Sequence, residues 1–118
     1  MTENVSDDAQ SLYAEAIVWD MVWPWEPWCG NDFDNLTRFH GAGFTALSAT
    51  IAGDNQNISE AVQRVAAVRN TLLAMDHVLL CESVDDVKTA KASSRLGVLL
   101  HFEGTRCFER NLDMVEAF

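Results

Sequence analysis

A histidine and a glutamate two residues apart close an apolar run near the end of the 118-residue chain. The run LGVLLHFEG (96–104) carries His101 and Glu103 and then reaches a glycine. An apolar run of this length is typical of a buried strand. Side chains at positions i and i+2 of a strand point to the same face. At the carboxyl end of a parallel strand that face borders the ligand site, where a carboxylate can hold a divalent metal or act as a base.

The same spacing also has a purely structural interpretation. His101 would then be a core histidine satisfied by hydrogen bonds, and Glu103 would pair with Arg106 across the following turn. Spacing alone favours this second interpretation, because a lone His and Glu pair is a weak signal of function.

Asp20 is the second candidate metal ligand. It lies in the apolar segment AIVWDMV (16–22), near the end of a predicted first strand. A carboxylate in such a strand costs free energy unless it is paired or binds a ligand. In a parallel sheet we expect Asp20 at the same rim as Glu103. The alternative is a hydrogen-bonded aspartate that holds the following loop.

Other polar and aromatic residues favour structural roles. Four tryptophans fall within ten residues, namely Trp19, Trp23, Trp25 and Trp28. They could line a pocket, but packing over the core is the simpler expectation. The loop GDNQN (53–57) follows the second strand and would also lie at the ligand rim, but an ordinary helix-capping loop is the favoured interpretation. His40 and His77 are isolated in the sequence and are expected to be structural or exposed.

Composition excludes several classes of partner. Eight Lys and Arg residues stand against eighteen Asp and Glu residues, a formal net charge of −10. This balance argues against binding nucleic acid or an anionic membrane surface. No apolar stretch is long enough to span a bilayer, and the polar, acidic segment at 1–11 argues against a secretory signal. The cysteines Cys29, Cys81 and Cys107 are odd in number and form no CxxC pair, which favours reduced thiols in the cytoplasm.

The elements that position the candidate residues alternate along the chain. A polar lead-in (1–13) precedes strands predicted at 16–22, 44–52, 77–83 and 96–103. Helices are predicted at 31–43, from 58 to about 73, at 83–94 and from 111 onward. Asn57 and Glu60 have the spacing of a capping box at the start of the second of these helices. This alternation predicts an α/β fold with a parallel sheet, built from three to four β/α units. The last helix has no closing residue, so we expect a piece of a larger fold whose open sheet edges favour self-association or docking of missing strands.

Three segments resemble the amino-terminal part of the membrane (renal) dipeptidase family of zinc metallopeptidases. They are LGVLLHFEGTRCFERNLDMVEAF (96–118), AIVWDMVWPW (16–25) and FHGAGFTALSATIAGD (39–54). The resemblance implies that residues 14–118 are the first part of a (β/α)8 (TIM) barrel. It also implies a binuclear zinc site in which a bridging hydroxide attacks the peptide carbonyl of a dipeptide. The glutamate that bridges the two metals in that family corresponds to Glu103.

The chain departs from the family at the first strand. If Asp20 aligns with the aspartate that precedes the family's metal-binding His-x-Asp, then Val22 and Pro24 take the two ligand positions, and neither side chain can ligate a metal. A shifted alignment that matches Pro24 and Trp25 puts Asp20 itself near the motif but restores no His-x-Asp either. Glu103 and Asp20 are therefore the predicted metal ligands, with His101 as the other donor that could help Glu103. The leading hypothesis is a fragment of a zinc-dependent dipeptidase that is inactive in isolation.

Two other functions stay open. One is a small non-catalytic α/β domain that binds a ligand or protein partner at the strand rim. The other, less favoured, is a barrel relative that acts on a different small substrate with one metal or none.

Overall fold

The computed structural model describes residues 5–24 and 33–118, and within them parallel strands alternate with helices. The strands are β1 (Trp19–Pro24), β2 (Ala46–Gly53), β3 (Val78–Leu80) and β4 (Leu96–Glu103). The helices are α1 (Asp7–Glu15), α2 (Asp34–Gly41), α3 (Ile58–Leu73), α4 (Val84–Ala92) and α5 (Met114–Ala117), with a 3₁₀ turn at Arg106–Phe108. The predicted α/β class and parallel sheet are confirmed, and the arrangement is consistent with part of a barrel.

The strand order in the sheet is β1-β2-β4-β3, and every pairing is parallel. β4 therefore occupies the third position, although it is the fourth strand along the chain. β3 has three residues and pairs only with residues 96–98 of β4. The carboxyl half of β4, which ends at Glu103, consequently has one paired edge among the described strands.

The sheet has two faces with different coverings. We call the outer face the side that carries Leu47 and Val98, because α2 and α3 pack there. Its buried cluster consists of Leu36, Leu47, Ala49, Ile51, Val68, Leu72, Val78, Leu96 and Val98. The inner face is the opposite side, and α4 covers its amino-terminal part through Val87 and Ala90, which pack with Ala46. The carboxyl-terminal part of the inner face is where the polar residues lie.

A bulge in β2 brings Gly53 opposite Glu103, while β4 itself alternates regularly from His101 to Glu103. The register between β2 and β4 shifts between Thr50 and Ala52, so that Thr50 pairs with His101 and Gly53 with Glu103. Paired residues of parallel strands point to the same side of the sheet. His101 and Glu103 therefore share the inner face with Thr50.

Local sequence signals explain where the longer helices begin. The Asn57 side chain accepts from the Glu60 N–H at 3.0 Å, and the Glu60 carboxylate accepts from the Asn57 N–H at 2.9 Å. This reciprocal pair confirms the predicted capping box of α3. Ser83 caps the start of α4, since its hydroxyl accepts from the Asp86 N–H.

The predicted polar lead-in is a helix in the structure. Ser6 caps α1 by accepting from the Ala9 N–H. Lys91 of α4 donates to the carbonyl oxygens of Ala14 and Ala16 at the end of this helix. These contacts tie an exposed, acidic helix to the domain, which composition alone did not reveal.

β1 and α5 also differ from the prediction in their bounds. β1 begins at Trp19 and not at residue 16, because α1 and its cap extend to Ala16. α5 is a four-residue turn and not a helix from residue 111. The expected start of α2 at 31–32, as well as Trp25, Trp28 and Cys29, lies outside the described residues. None of the helices in the described part of the chain is both long and apolar enough to cross a membrane.

Candidate functional site

Glu103 lies at the carboxyl end of β4, on the inner face, and its side chain is exposed. Within residues 5–24 and 33–118 its carboxylate makes no hydrogen bond or ion pair. The expected pairing with Arg106 is absent there, because the Arg106 guanidinium instead donates to the Asp54 carbonyl at 3.1 Å. The carboxylate is therefore available to a ligand.

Asp54 anchors the loop that follows Glu103. Its Oδ1 accepts from the backbone N–H of Thr105 at 3.0 Å and of Arg106 at 3.2 Å. Gly104 makes this possible with a φ of +109°, a conformation that residues with a Cβ avoid. We call this arrangement the Asp54 clasp. It joins the loops after β2 and β4, and sequence reasoning missed it because Asp54 lies in a segment that was assigned to helix capping.

His101 is only half satisfied. Its Nε2 lies 2.7 Å from the Thr50 hydroxyl, and its Nδ1 is buried with no hydrogen-bond partner among the described residues. Burial lowers the pKa of His101, while the negative charge of Glu103 acts in the opposite direction. With its pKa below the usual range, the imidazole is neutral at pH 7. The interpretation of His101 as a satisfied core histidine thus holds for one ring nitrogen and not for the other.

Two hydroxyl groups extend the polar inner face below His101. Ser48 and Thr50 are buried. The Trp19 indole donates to the Ser48 hydroxyl at 3.0 Å. Sequence reasoning missed both hydroxyl residues, although their alternate spacing in the predicted second strand was a usable signal. Trp23, by contrast, packs on the outer face with its ring edge-on to Phe39 at 5.9 Å, as the packing interpretation expected.

Asp20 and Glu103 are not brought together. Asp20 pairs with Leu47, which pairs with Val98, so Asp20 lies on the outer face at the level of Val98. Glu103 is five residues further along β4, roughly 16 Å at the usual rise of a strand. The expectation of a shared rim is therefore wrong, because β1 starts late and Asp20 is its second residue.

The alternative interpretation of Asp20 fits better. Its Oδ1 accepts from the Val22 N–H at 3.1 Å, inside the irregular stretch of β1 between Asp20 and Trp23. A carboxylate used in this way stabilises the local backbone. Its role as a metal ligand stays a prediction without support from the register.

The structure also places Val22 and Pro24, the two residues that the resemblance aligns with metal ligands. Pro24 pairs with Thr50, at the level of His101, and Val22 is exposed. Across the described part of the chain, no group of three or more His, Cys, Asp or Glu side chains is close enough to hold a metal ion. A metal at this rim would have to take Glu103, the free nitrogen of His101 and donors from elsewhere.

His40 and His77, which are far apart in the sequence, lie together in space. Their ring centroids are 5.5 Å apart. His40 Nε2 lies 2.8 Å from the Ser94 carbonyl, and His77 Nε2 lies 3.3 Å from the Thr37 hydroxyl. Both residues precede strands, so this pair sits at the amino-terminal end of the sheet, away from Glu103.

The cysteines that the structure describes do not point to nucleophilic chemistry. Cys81 and Cys107 are free and buried. Burial raises the pKa of Cys81 to about 11 and also raises the pKa of Cys107. Since the thiolate is the reactive form, these thiols are inert at neutral pH.

The chain matches no protein-family model and no curated protein. Among solved structures it is similar to an amidohydrolase from Pseudomonas aeruginosa, with a TM-score of 0.79 and 23% sequence identity. The match covers 92% of this chain and 32% of the other, so the chain spans about a third of that protein's length. At this identity the likeness concerns the fold alone: the chain has a parallel α/β fold similar to part of that protein. The more specific resemblance to the renal dipeptidase family stays a prediction.

Proposed function

We propose that this chain is part of a zinc-dependent hydrolase that cleaves the amide bond of dipeptides or similar small substrates, with Glu103 as one metal ligand. The observation that carries the proposal is the exposed, unpaired carboxylate at the carboxyl end of the third strand position. Active sites of barrel enzymes lie at this end of the strands. The similarity of the fold to an amidohydrolase supports the reaction class.

The donors present suit zinc in type but not in number. Carboxylate oxygen and imidazole nitrogen are ligands that zinc accepts, and catalytic zinc usually takes three protein ligands. When bound, zinc would polarise the amide carbonyl and lower the pKa of a water molecule. The Asp54 clasp holds the backbone that follows Glu103, so the carboxylate is positioned before any ligand arrives. We propose that the remaining donors come from parts of a barrel outside these 118 residues.

The free edge of β4 supports the same view of partners. β3 pairs with residues 96–98 only. The edge of residues 99–103 that faces away from β2 is therefore not paired with any described strand. An unpaired strand edge is a template for another strand. We propose that this edge takes further strands of a barrel or a second copy of the chain.

The free thiols Cys81 and Cys107 support a cytoplasmic location for the protein.

The test is an assay of the protein encoded by the longest reading frame that contains these residues. We expect hydrolysis of a dipeptide panel that is lost with a chelator, returns with zinc, and falls at least about 100-fold in Glu103→Gln. Glu15→Gln, an exposed carboxylate at the end of α1, is the matched control and should keep full activity. Hydrolysis that is insensitive to the chelator, or an active Glu103→Gln enzyme, would contradict the proposal.

A second function, a non-catalytic domain that binds a ligand or partner at the rim, is favoured by one observation. Val22 and Pro24 stand where the resembling family has metal ligands, and Pro24 is paired beside Thr50 in the sheet. This function predicts a monomer that unfolds cooperatively and hydrolyses no amide substrate. Sedimentation and thermal unfolding, measured beside the hydrolysis assay, separate the two functions.

A further inference from the structure

We infer that His101 is itself a metal ligand through Nδ1, and that His101 and Glu103 together form a two-residue zinc-binding pair at the end of β4. The inference deepens the proposed function and rests on it for the role of Glu103. It assigns to β4 a ligand pair of the kind that β1 lacks, since Val22 and Pro24 offer no donor atoms.

The sheet geometry places the two side chains side by side. His101 and Glu103 are two positions apart in a strand whose partners, Thr50 and Gly53, keep them in register on the inner face. Alternate residues of a strand project in the same direction. Gly53 pairs with Glu103, and a Cβ at Gly53 would lie 3.1 Å from the Glu103 backbone carbonyl oxygen and 3.4 Å from Asn55 Oδ1. A cation between the two donors therefore meets an imidazole and a carboxylate from one rigid element.

The unpaired ring nitrogen is the observation that points to a ligand. A buried polar atom without a partner costs about 1–3 kcal/mol, and such atoms in native proteins are few. Nδ1 of His101 is such an atom among the described residues, and the exposed carboxylate of Glu103 is two residues away. A metal bound by both would satisfy Nδ1 and the carboxylate at once.

Thr50 supplies the support that a ligating histidine needs. Ligating histidines usually donate their other ring N–H to an oxygen, which fixes the tautomer and the ring orientation. With Nδ1 on the metal, Nε2–H donates to the Thr50 hydroxyl, 2.7 Å away. Thr50 is buried and lies in a strand paired on both sides, so the acceptor cannot move far. Thr50 is in this way a positioning residue for His101.

The experiment is a zinc titration of the 118-residue chain, followed by long-range ¹H–¹⁵N NMR of the histidine rings. We expect zinc binding to change the ¹⁵N chemical shift of His101 Nδ1, while Nε2 stays protonated. Glu103→Gln should weaken zinc binding at this ring at least about tenfold, and Thr50→Val should weaken it about 10- to 100-fold. Circular dichroism and urea unfolding confirm that each variant is folded.

The His40–His77 pair is the competing site, so the titration is run in a His77→Ala background as well. The inference predicts the same zinc dependence of His101 in both backgrounds. The inference is overturned if zinc changes the ¹⁵N chemical shifts of the His40 and His77 rings only. It is also overturned if a folded His101→Ala protein binds zinc at the Glu103 carboxylate with unchanged affinity.

Failure of the inference and failure of the proposed function are distinguishable. Chelator-sensitive hydrolysis in a longer protein with a fully active His101→Ala variant removes His101 from the site and leaves the function standing. Zinc ligated by Nδ1 without any hydrolysis supports the pair and removes the hydrolase.

Discussion

Gly104→Ala should be among the most destabilising single-methyl changes at the candidate site. The φ of Gly104 is +109°, and a Cβ added there would lie 2.5 Å from Asp54 Cγ and nearer still to Oδ1. A side chain in that sparsely populated backbone region costs about 1–3 kcal/mol. The Asp54 carboxylate must also turn away and lose two backbone hydrogen bonds, each with a net value of about 0.5–1.5 kcal/mol.

The two contributions sum to about 2–6 kcal/mol, a large share of the roughly 5–15 kcal/mol that stabilises an ordinary domain. The measurement is urea unfolding, followed by tryptophan fluorescence and far-UV circular dichroism. The midpoint should fall while the slope m stays constant. Gly41→Ala is the matched control, because nothing lies within 4 Å of a Cβ there. It ends α2, so the change should be neutral or stabilise by up to about 1 kcal/mol.

The Asp54→Ala background separates collision from backbone strain. Without the carboxylate, Gly104→Ala should cost only the strain, so its effect should shrink by about 1–3 kcal/mol in the double variant. A Gly104→Ala protein within about 0.5 kcal/mol of the parent would refute the reasoning. An unchanged cost in the Asp54→Ala background would refute the clasp specifically.

Three further predictions concern the rest of the domain. Leu72→Ala should destabilise by about 2–5 kcal/mol in urea unfolding, because Leu72 is 1% exposed, whereas its neighbour Leu73, 63% exposed, should tolerate alanine within about 0.5 kcal/mol; equal costs would contradict the assignment of the buried face of α3. Hydrogen bonds from Ser83 and from the Glu82 N–H hold the pKa of the Asp86 carboxyl below its usual range. The unfolded chain then binds more protons in acid, so this stabilisation is present above about pH 4 and is lost as the pH falls through the folded pKa; Asp86→Asn should flatten that acid decline, and an identical pH profile would exclude the cap as its cause. Cys81, with its pKa raised to about 11, should resist a thiol reagent at pH 8 in the folded protein and react in urea, as mapped by mass spectrometry of its peptide; rapid labelling without denaturant would contradict its burial.

Predictions that depended on local periodicity succeeded. The apolar run of β4 has the predicted bounds of 96–103, and α3 begins at the predicted capping box. Both signals are local, since strand burial and helix capping follow from residues within a few positions of one another. The bounds of short elements were predicted less well, because β3 and α5 have too few residues for a sequence pattern to define where they begin and end.

The composition of the candidate site depended on which strands pair and in what register. The sequence predicted the parallel α/β class, the strand that carries Glu103, and the position of His101 and Glu103 on the same face of that strand. It could not predict that Asp20 lies on the other face, that Asp54 draws Arg106 away from Glu103, or that Thr50 supports His101. Each of these features depends on a contact between residues 27 to 52 positions apart, and one extra residue in a strand turns every later side chain to the opposite face. Local patterns carry no record of such shifts, so the folded sheet alone decides which polar groups meet at its rim.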